Sequence, residues 1–340
     1  MATSMLRCLI VTMFVMINLY AEEDNEIVFD ENLIVSTTQI FIEDFPLAYN
    51  PSILQTEHGL LLSFRVNPNL NDPWISWIGL VFLDENFEPI SKPQIVNTRA
   101  WSSKIPSQAE DARLFSFQGN MYLIYNDNIN MVNPPSQKRR DMFFAQLHYE
   151  DEKFTLSEPV KILHKQKYHR HNWQKNWAPF EWNNTLFFTY SISPHEIVQP
   201  IFSSGECHPI YKTEGSVNWT DGILRGGTPA LEMDDHYLAF FHSGIVKKSS
   251  VSNGMLMWHY YMGAYTFSNQ PPFEILMMSP APIMADNFYT YSSFHKRVVF
   301  PGGFVVDGDR VHVAYGKDDS EVWVVTINKK KLYESMVPVR

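Results

Sequence analysis

Cysteine is nearly absent: Cys8 and Cys207 are the only two in 340 residues. Cys8 falls in an apolar N-terminal run, and without that run no intramolecular disulfide can form and no cysteine-based zinc site is available. Positive charge is also scarce, with 27 Lys and Arg against 37 Asp and Glu and a formal net charge of −10. A surface of that sign, with no basic face or arginine run, repels phosphate backbones, so no nucleic-acid partner is expected. A local basic pocket for one small anion remains compatible with it. A long stretch of helical periodicity is missing too. What is present is an apolar fraction of 45%, that of a folded globular protein, with 24 Phe, 16 Tyr and 9 Trp that point towards strands and sugar-binding surfaces.

The chain opens "MATSMLRCLIVTMFVMINLYAEEDN". One Arg, an apolar run from Cys8 to Leu19 too short to span a bilayer, and Tyr20-Ala21 before an acidic segment read as a secretory signal cleaved after Ala21. The expectation is a secreted or periplasmic protein whose residues 22–340 form one domain, with no stable membrane span once residues 1–21 are removed. Asn183 and Asn218 begin glycosylation sequons.

A single pattern recurs five times. "PSILQTEHGLLLSFRV", "EDARLFSFQGNMYLIYND", "NWAPFEWNNTLFFTYSI", "GGTPALEMDDHYLAFFHS" and "FPGGFVVDGDRVHVAYG" each hold a short apolar run, a turn of Gly, Asn or Asp, and a second run ending near an aromatic residue. That is a hairpin signature. Repeats of this kind, tens of residues apart with room for about four strands each, predict an all-β fold, a five-bladed β-propeller. The N-terminal "LIVSTTQIFI" is expected to pair beside the C-terminal "EVWVVTI" and remove two open sheet edges. A β-sandwich or two smaller β domains is the alternative. "NKKK" at 328–331 reads as a solvated turn after the last strand.

In a propeller, residues just before each hairpin approach one another at the mouth of a central channel. Glu110, Asp111 and Arg113 would meet Lys175, Asn176 and Trp177 there. Arg225 with Gly226 and Gly227, Lys296 and Arg297, and His242, Asp318 and Asp319 could reach the same face. Carboxylates ringed by cations and aromatics suit glycosyl transfer, which needs a proton for the leaving oxygen, stabilisation of an oxocarbenium-like transition state, and a water or phosphate on the opposite face. Two acids about 6.5–9.5 Å apart would favour inverting hydrolysis and a cation cluster facing one acid would favour phosphate as the nucleophile, and the sequence supplies both inventories. Simpler readings stand beside this one: Asp111 and Arg113 as a strand-end ion pair, and Trp177 as packing. His169 and His171 could share a strand face, but without a third ligand at suitable spacing no metal site is expected.

Those same segments resemble glycoside hydrolase family 130, the β-mannoside phosphorylases and mannosidases. "EDARLFSFQGNMYLIY" is similar to the family's acidic Asp-Pro-Arg segment, and "KNWAPFEWNNTLFFTYS", "RGGTPALEMDDHYLAFFHSG" and "VVFPGGFVVDGDRVHVAYGKDD" follow in the family's order over residues 51–327. Ala112 stands in place of the usual proline, Arg297 in place of a common asparagine, and "GKDD" in place of a version with small residues. The resemblance implies that Asp111 is the catalytic acid, acting in phosphorylases through a hydroxyl of the sugar, and that Arg113 and Asp319 hold the sugar. It also implies that His242, with nearby Lys and Arg, holds phosphate. On this reading Glu110, Arg113, Lys175, Asn176, Trp177 and Asp319 contact substrate, and Arg225, His242 and Arg297 bind phosphate. No cofactor or metal is called for beyond inorganic phosphate as co-substrate, and the partner is an oligosaccharide cleaved by inverting phosphorolysis or hydrolysis. The alternatives are a β-mannosyltransferase using the same pocket and a non-catalytic glycan-binding propeller.

Overall fold

The computed structural model describes residues 33–68, 71, 75–99, 107–128, 140–164, 173–215, 218–290 and 295–340. The N-terminal segment read as a signal, and His169 and His171, lie outside the described residues.

The five hairpins form where the turn chemistry places them. Tyr49–Thr56 pairs with Gly59–Val66, Glu110–Phe117 with Asn120–Asp127, and Ala178–Trp182 with Thr185–Ser191. Leu231–Glu232 pairs with His236–Lys247, and Lys296–Asp307 with Arg310–Lys317. Gln118-Gly119 and Asn183-Asn184 both have positive φ at the two central positions. Such turns match the twist of the flanking strands.

Each hairpin recruits further antiparallel strands. The first adds Trp77–Leu83 and Gln94–Val96, the second adds Asp141–Glu150 with Lys153–Leu156 and Val160–Ile162, and the third adds His195–Pro200 and Cys207–Thr213. The fourth and fifth share one ten-stranded sheet, because Trp258–Tyr260 of strand Met257–Ser268 runs parallel to Lys296–Val298. That merger was not anticipated from sequence; the apolar runs carry no signal for a three-residue parallel contact between otherwise separate groups.

The N-terminal strand Ile34–Ile40 lies antiparallel to Glu321–Asn328, with Thr38 opposite Val324 and Ile40 opposite Val322, which is the pairing expected. The run "NKKK" is not a simple turn. Asn328 caps a short helix, Lys329–Ser335, by accepting from the Lys331 amide at 3.0 Å, and Leu332 on that helix is buried.

Alternation along the strands sends apolar side chains into five clusters. Leu80, Phe82, Leu114 and Leu123 join the first group to the second, and Phe144, Trp177 and Phe188 join the second to the third. Phe180 and Phe241 join the third to the fourth, and Met262, Val299 and Phe304 join the fourth to the fifth. Phe64, Val81, Ala314 and Val324 join the fifth back to the first.

Candidate active site

One backbone device is repeated at the hairpin mouths. Between Glu110 and Arg113 the register against Asn126 and Ile124 slips by one residue, a β-bulge, and Asp111 within it has φ of 54°. The first hairpin carries the same slip between Tyr49 and Ser52, with Asn50 at φ 47°, and in the third Asn176 has φ 64° just before the strand. Left-handed backbone is tolerated best, among residues with a side chain, by Asn and Asp. The device turns Asn50, Asp111 and Asn176 towards the same space, and all three line a cavity of about 310 Å³.

The neighbouring chain comes close enough to demand glycine. A Cβ on Gly226 would lie 2.3 Å from the Asn176 carbonyl oxygen, and one on Gly316 would lie 2.1 Å from Asn50 Oδ1.

The cavity is polar. Arg65, Lys175, Arg225 and Lys296 face Glu110, Asp111 and Asp319 across it, with His242, Tyr260 and Phe300 as further walls. Lys296 and Asp319 form an ion pair at the partly exposed rim. A larger cavity of about 430 Å³ is walled by Ile53, Leu114 and Phe180 and by Glu181 and Glu232, with no cationic side chain among its described lining. Anion chemistry therefore belongs to the polar cavity.

Glu110 and Asp111 are adjacent but differently engaged. Glu110 Oε1 accepts from Arg65 at 2.9 Å and from Arg140 at 2.8 Å, and Oε2 lies 2.5 Å from Lys175 Nζ. Burial disfavours its charge, but the three cations outweigh that and hold its carboxyl below the ordinary glutamate range. Both Glu110 oxygens are thus committed to positioning cations. Asp111 Oδ1 accepts from Asn50 at 2.9 Å and from Arg65 at 3.3 Å, whereas Oδ2 has Lys175 Nζ 4.0 Å away. Oδ2 is the less engaged carboxylate oxygen facing the cavity. Burial again raises the Asp111 carboxyl, but Lys175, Arg65, the Asn50 hydrogen bond and Arg113 bring it to about 2.

His242 is buried, and burial together with Arg113, Arg225 and Lys175 pushes it well below the usual histidine range. It is neutral at pH 7. Its Nδ1 has no hydrogen-bond partner among the described residues. An unpaired buried nitrogen on a polar cavity is a position for a hydrogen-bonding group of a ligand.

Three residues expected to touch ligand do not line this cavity. Arg113 is fully buried behind it: Nε donates to the Gly227 carbonyl, Nη1 to the Asp111 carbonyl at 3.0 Å, and Nη2 to Asn176 Oδ1 and the Gly226 carbonyl, each at 3.2 Å. It ties three repeats together at the wall. Trp177 is buried against Phe188 and Tyr190, with Nε1 donating to Gln174. Arg297 points the opposite way from Lys296, as strand alternation requires, and donates to the Val251 and Lys296 carbonyls at 2.9 and 3.0 Å. The residues brought together as expected are Glu110, Asp111, Lys175, Asn176, Arg225, His242 and Asp319.

Sequence reasoning passed over Asn50, Arg65, Arg140 and Tyr260. The first two carried a signal, since Asn50 is the second residue of the first hairpin as Asp111 is of the second, and Arg65 pairs with Tyr49 across that hairpin. Arg140 reaches Glu110 from beside Trp173, whose ring lies 5.9 Å from the guanidinium.

No group of three or more His, Cys, Asp or Glu that could hold a metal ion occurs among the described residues. No described helix is long and apolar enough to cross a membrane.

Comparison with known proteins places this geometry. The sequence model of glycoside hydrolase family 130, described as β-1,4-mannooligosaccharide phosphorylase, matches residues 34–337. No curated protein matches the chain. Among solved structures, a β-1,2-mannobiose phosphorylase from Listeria innocua in complex with β-1,2-mannobiose is 14% identical, with a TM-score of 0.58 over 88% of this chain and 92% of that one. A mannose phosphorylase from Leishmania mexicana in complex with phosphate is 11% identical, with a TM-score of 0.58 over 90% and 92%. A GDP-Man-dependent mannosyltransferase from Leishmania mexicana is 11% identical, with a TM-score of 0.54 over 88% and 91%. At these identities the structures speak for the fold, while the family match spans nearly the whole described chain: the protein belongs to glycoside hydrolase family 130, a family of glycoside phosphorylases and hydrolases.

Proposed function

We propose that the protein is a β-mannoside phosphorylase in which Asp111 handles the proton and the cation-lined cavity holds phosphate. The observation that carries this reading is Asp111 Oδ2, a carboxylate oxygen left open in a cavity walled by Arg65, Lys175, Arg225 and Lys296. In phosphorolysis a phosphate oxygen attacks the anomeric carbon, the glycosidic carbon–oxygen bond breaks, and the leaving oxygen receives a proton. Bound phosphate offsets the cations that hold Asp111 ionised, so that Asp111 takes up a proton, supplies it through a sugar hydroxyl and is left as carboxylate. Lys175, Arg225 and His242 hold phosphate by charge-assisted and neutral hydrogen bonds. Asp319 and Asn176 hold the sugar, Arg113 and Trp177 act as wall residues that position Asp111 and Asn176, and Arg297 braces the strand carrying Lys296. Phosphate is the co-substrate and no cofactor takes part.

A second reading is favoured by one observation: Asp111 sits at about 2. An ionised carboxylate is a base, and a base serves synthesis, taking the acceptor hydroxyl's proton as the bond from sugar to phosphate breaks. The same cavity would run that reaction as a mannosyl transfer.

Two further readings complete the proposal. Five blades are supported by the five recurring hairpins and by clusters that join the fifth group back to the first. Residues 1–21 act as a secretory signal, the mature protein from residue 22 being a single domain that works outside the cytoplasm; N-terminal sequencing of exported protein tests this.

The reaction is tested by incubating the protein with β-1,4-mannobiose with and without phosphate, and with mannose 1-phosphate plus mannose. Mannose 1-phosphate appearing only with phosphate is the expected result. Equal release of mannose without phosphate would replace phosphorolysis by hydrolysis, and no conversion in any mixture would leave a glycan-binding protein.

A further inference from the structure

The four cations that act on the acid pair share one feature. Arg65 and Arg140 bind Glu110, Lys175 lies between Glu110 and Asp111, and Arg113 donates to the Asp111 carbonyl. Each has an aromatic ring against it. Tyr49 has its ring centre 5.0 Å from the Arg65 guanidinium carbon, and Phe300 has its own 5.6 Å from that of Arg113. Trp173 serves two of them, its ring centre 5.9 Å from the Arg140 guanidinium carbon and 5.4 Å from Lys175 Nζ. A ring face attracts a cation without neutralising it, so the charge stays available to the carboxylates and to an anion in the cavity.

Tyr49 and Phe300 are buried, whereas Trp173 is 51% exposed, so its ring can be removed without opening the core. The backbone that carries it is fixed: Trp173 bridges to Arg140, and the Gln174 amide donates to the Arg140 carbonyl at 2.9 Å. The ring also walls a second cavity of about 290 Å³, whose lining shares Lys175, Asn176 and Arg225 with the site. Lys175 has most need of such support, because an ammonium on a flexible four-carbon stem is placed only by what surrounds it. Glu110 Oε2 at 2.5 Å and the Trp173 ring hold its Nζ from two sides, and they leave it 4.0 Å from Asp111 Oδ2.

Resting on the proposed part of Asp111 in the reaction, we propose that Trp173 is a positioning residue, which holds Lys175 and Arg140 against the acid pair and so fixes the cation that faces the open oxygen of Asp111. The other charges around Asp111 are held by other means. Arg65 and Arg113 face it from the first hairpin and from its own strand, with Glu110 beside it. Arg225, His242 and the Lys296–Asp319 pair line the same cavity. Of the cations that lower the Asp111 carboxyl, Lys175 is the one that Trp173 touches.

The test follows phosphorolysis of β-1,4-mannobiose against pH in the parent protein, Trp173→Phe and Trp173→Leu, with thermal melts of all three. Burial raises the Asp111 carboxyl and Lys175 is the first of the groups that lower it, so a looser Lys175 lets Asp111 keep its proton to higher pH. In Trp173→Leu, at saturating phosphate, the fall in rate with rising pH is expected about one pH unit above that of the parent. The KM for phosphate is expected to rise about fivefold and that for mannobiose to stay within about twofold, with most of both effects reversed in Trp173→Phe, which keeps a ring face. A ring that only packs would lower Tm and leave the pH profile and the phosphate KM unmoved, and a ring that only touches sugar would raise the mannobiose KM alone. Either result overturns the positioning role, as does equal impairment of the Phe and Leu variants. A parent that releases mannose equally without phosphate refutes phosphorolysis instead, and the shift of the pH profile, read on hydrolysis, then decides the role of Trp173 separately. No conversion by the parent would refute the activity and the positioning role together.

Discussion

Asp111 is the residue on which the chemistry turns, and its environment gives it a measurable signature. Asp111→Asn removes the titrating proton while keeping a group that can accept from Asn50, so turnover is expected to fall by at least about 10²-fold with native secondary structure retained. Circular dichroism and initial rates on β-1,4-mannobiose check this, and a variant within tenfold of the parent would remove Asp111 from the reaction. The carboxyl is depressed to about 2 in the fold, below its unfolded value. Its stabilising contribution is therefore present above about pH 4 and is lost as pH falls through about 2. It follows that Asp111→Asn unfolds more easily than the parent at pH 7, by on the order of 2 kcal/mol, and that urea titrations should show the gap closing near pH 2. The same ionisation separates the two directions of reaction. Synthesis from mannose 1-phosphate should show no acidic titration of Asp111 until pH approaches about 2, whereas phosphorolysis at saturating phosphate should slow as pH rises.

At the scale of the element, the bulge at residues 110–113 is the device that makes the site, and the chain contains its own control. The first hairpin builds the same slip with Asn50-Pro51, a left-handed residue followed by proline, where the second has Asp111-Ala112. Because the backbone at Pro51 already accepts the ring, Ala112→Pro is expected to be tolerated and to raise stability by about 0.4–1 kcal/mol through restriction of the unfolded chain. Thermal melts of the two proteins decide it, and a lowered Tm would mean that the two bulges differ in backbone path. Arg113 locks this bulge to the third and fourth hairpins through the Asp111, Gly226 and Gly227 carbonyls and Asn176 Oδ1. Truncating it to Ala strands buried carbonyls at a cost of about 1–3 kcal/mol each. A clear drop in Tm together with lost activity is expected, whereas a residue that only touched sugar would raise KM without moving Tm.

At the scale of the whole molecule, one long-range pairing joins the first described strand to the last long one. Ile34–Ile40 covers the outer edge of Glu321–Asn328, and Ile40 and Ile42 enter the cluster shared by the first and fifth groups. Deleting residues 33–42 bares that strand and opens the cluster, and an uncovered apolar edge pairs with other chains. The truncated protein is expected to aggregate, with early elution in size-exclusion chromatography and a lowered Tm. A monomeric product of unchanged Tm would show that closure contributes nothing to stability.

Strand class, the five hairpins and their turns were legible in the sequence because alternation and turn residues are local, and both are written within a few neighbouring positions. So was the convergence of Asp111, Lys175, Arg225, His242 and Asp319, which follows from repeats that end at the same height. Which side chain faces the cavity was not legible. Arg113 and Arg297 look as available as Lys175 in the sequence, yet a bulge and strand alternation turn them into the wall, while Arg65 reaches Asp111, and Arg140 reaches Glu110, from positions whose distance along the chain only the assembled fold removes. Local pattern determined the strands; the balance of charge at Asp111, set by Lys175, by Arg65 and by Asn50 61 residues away, was decided by tertiary structure alone, because Coulomb interactions depend on distance in space and on burial.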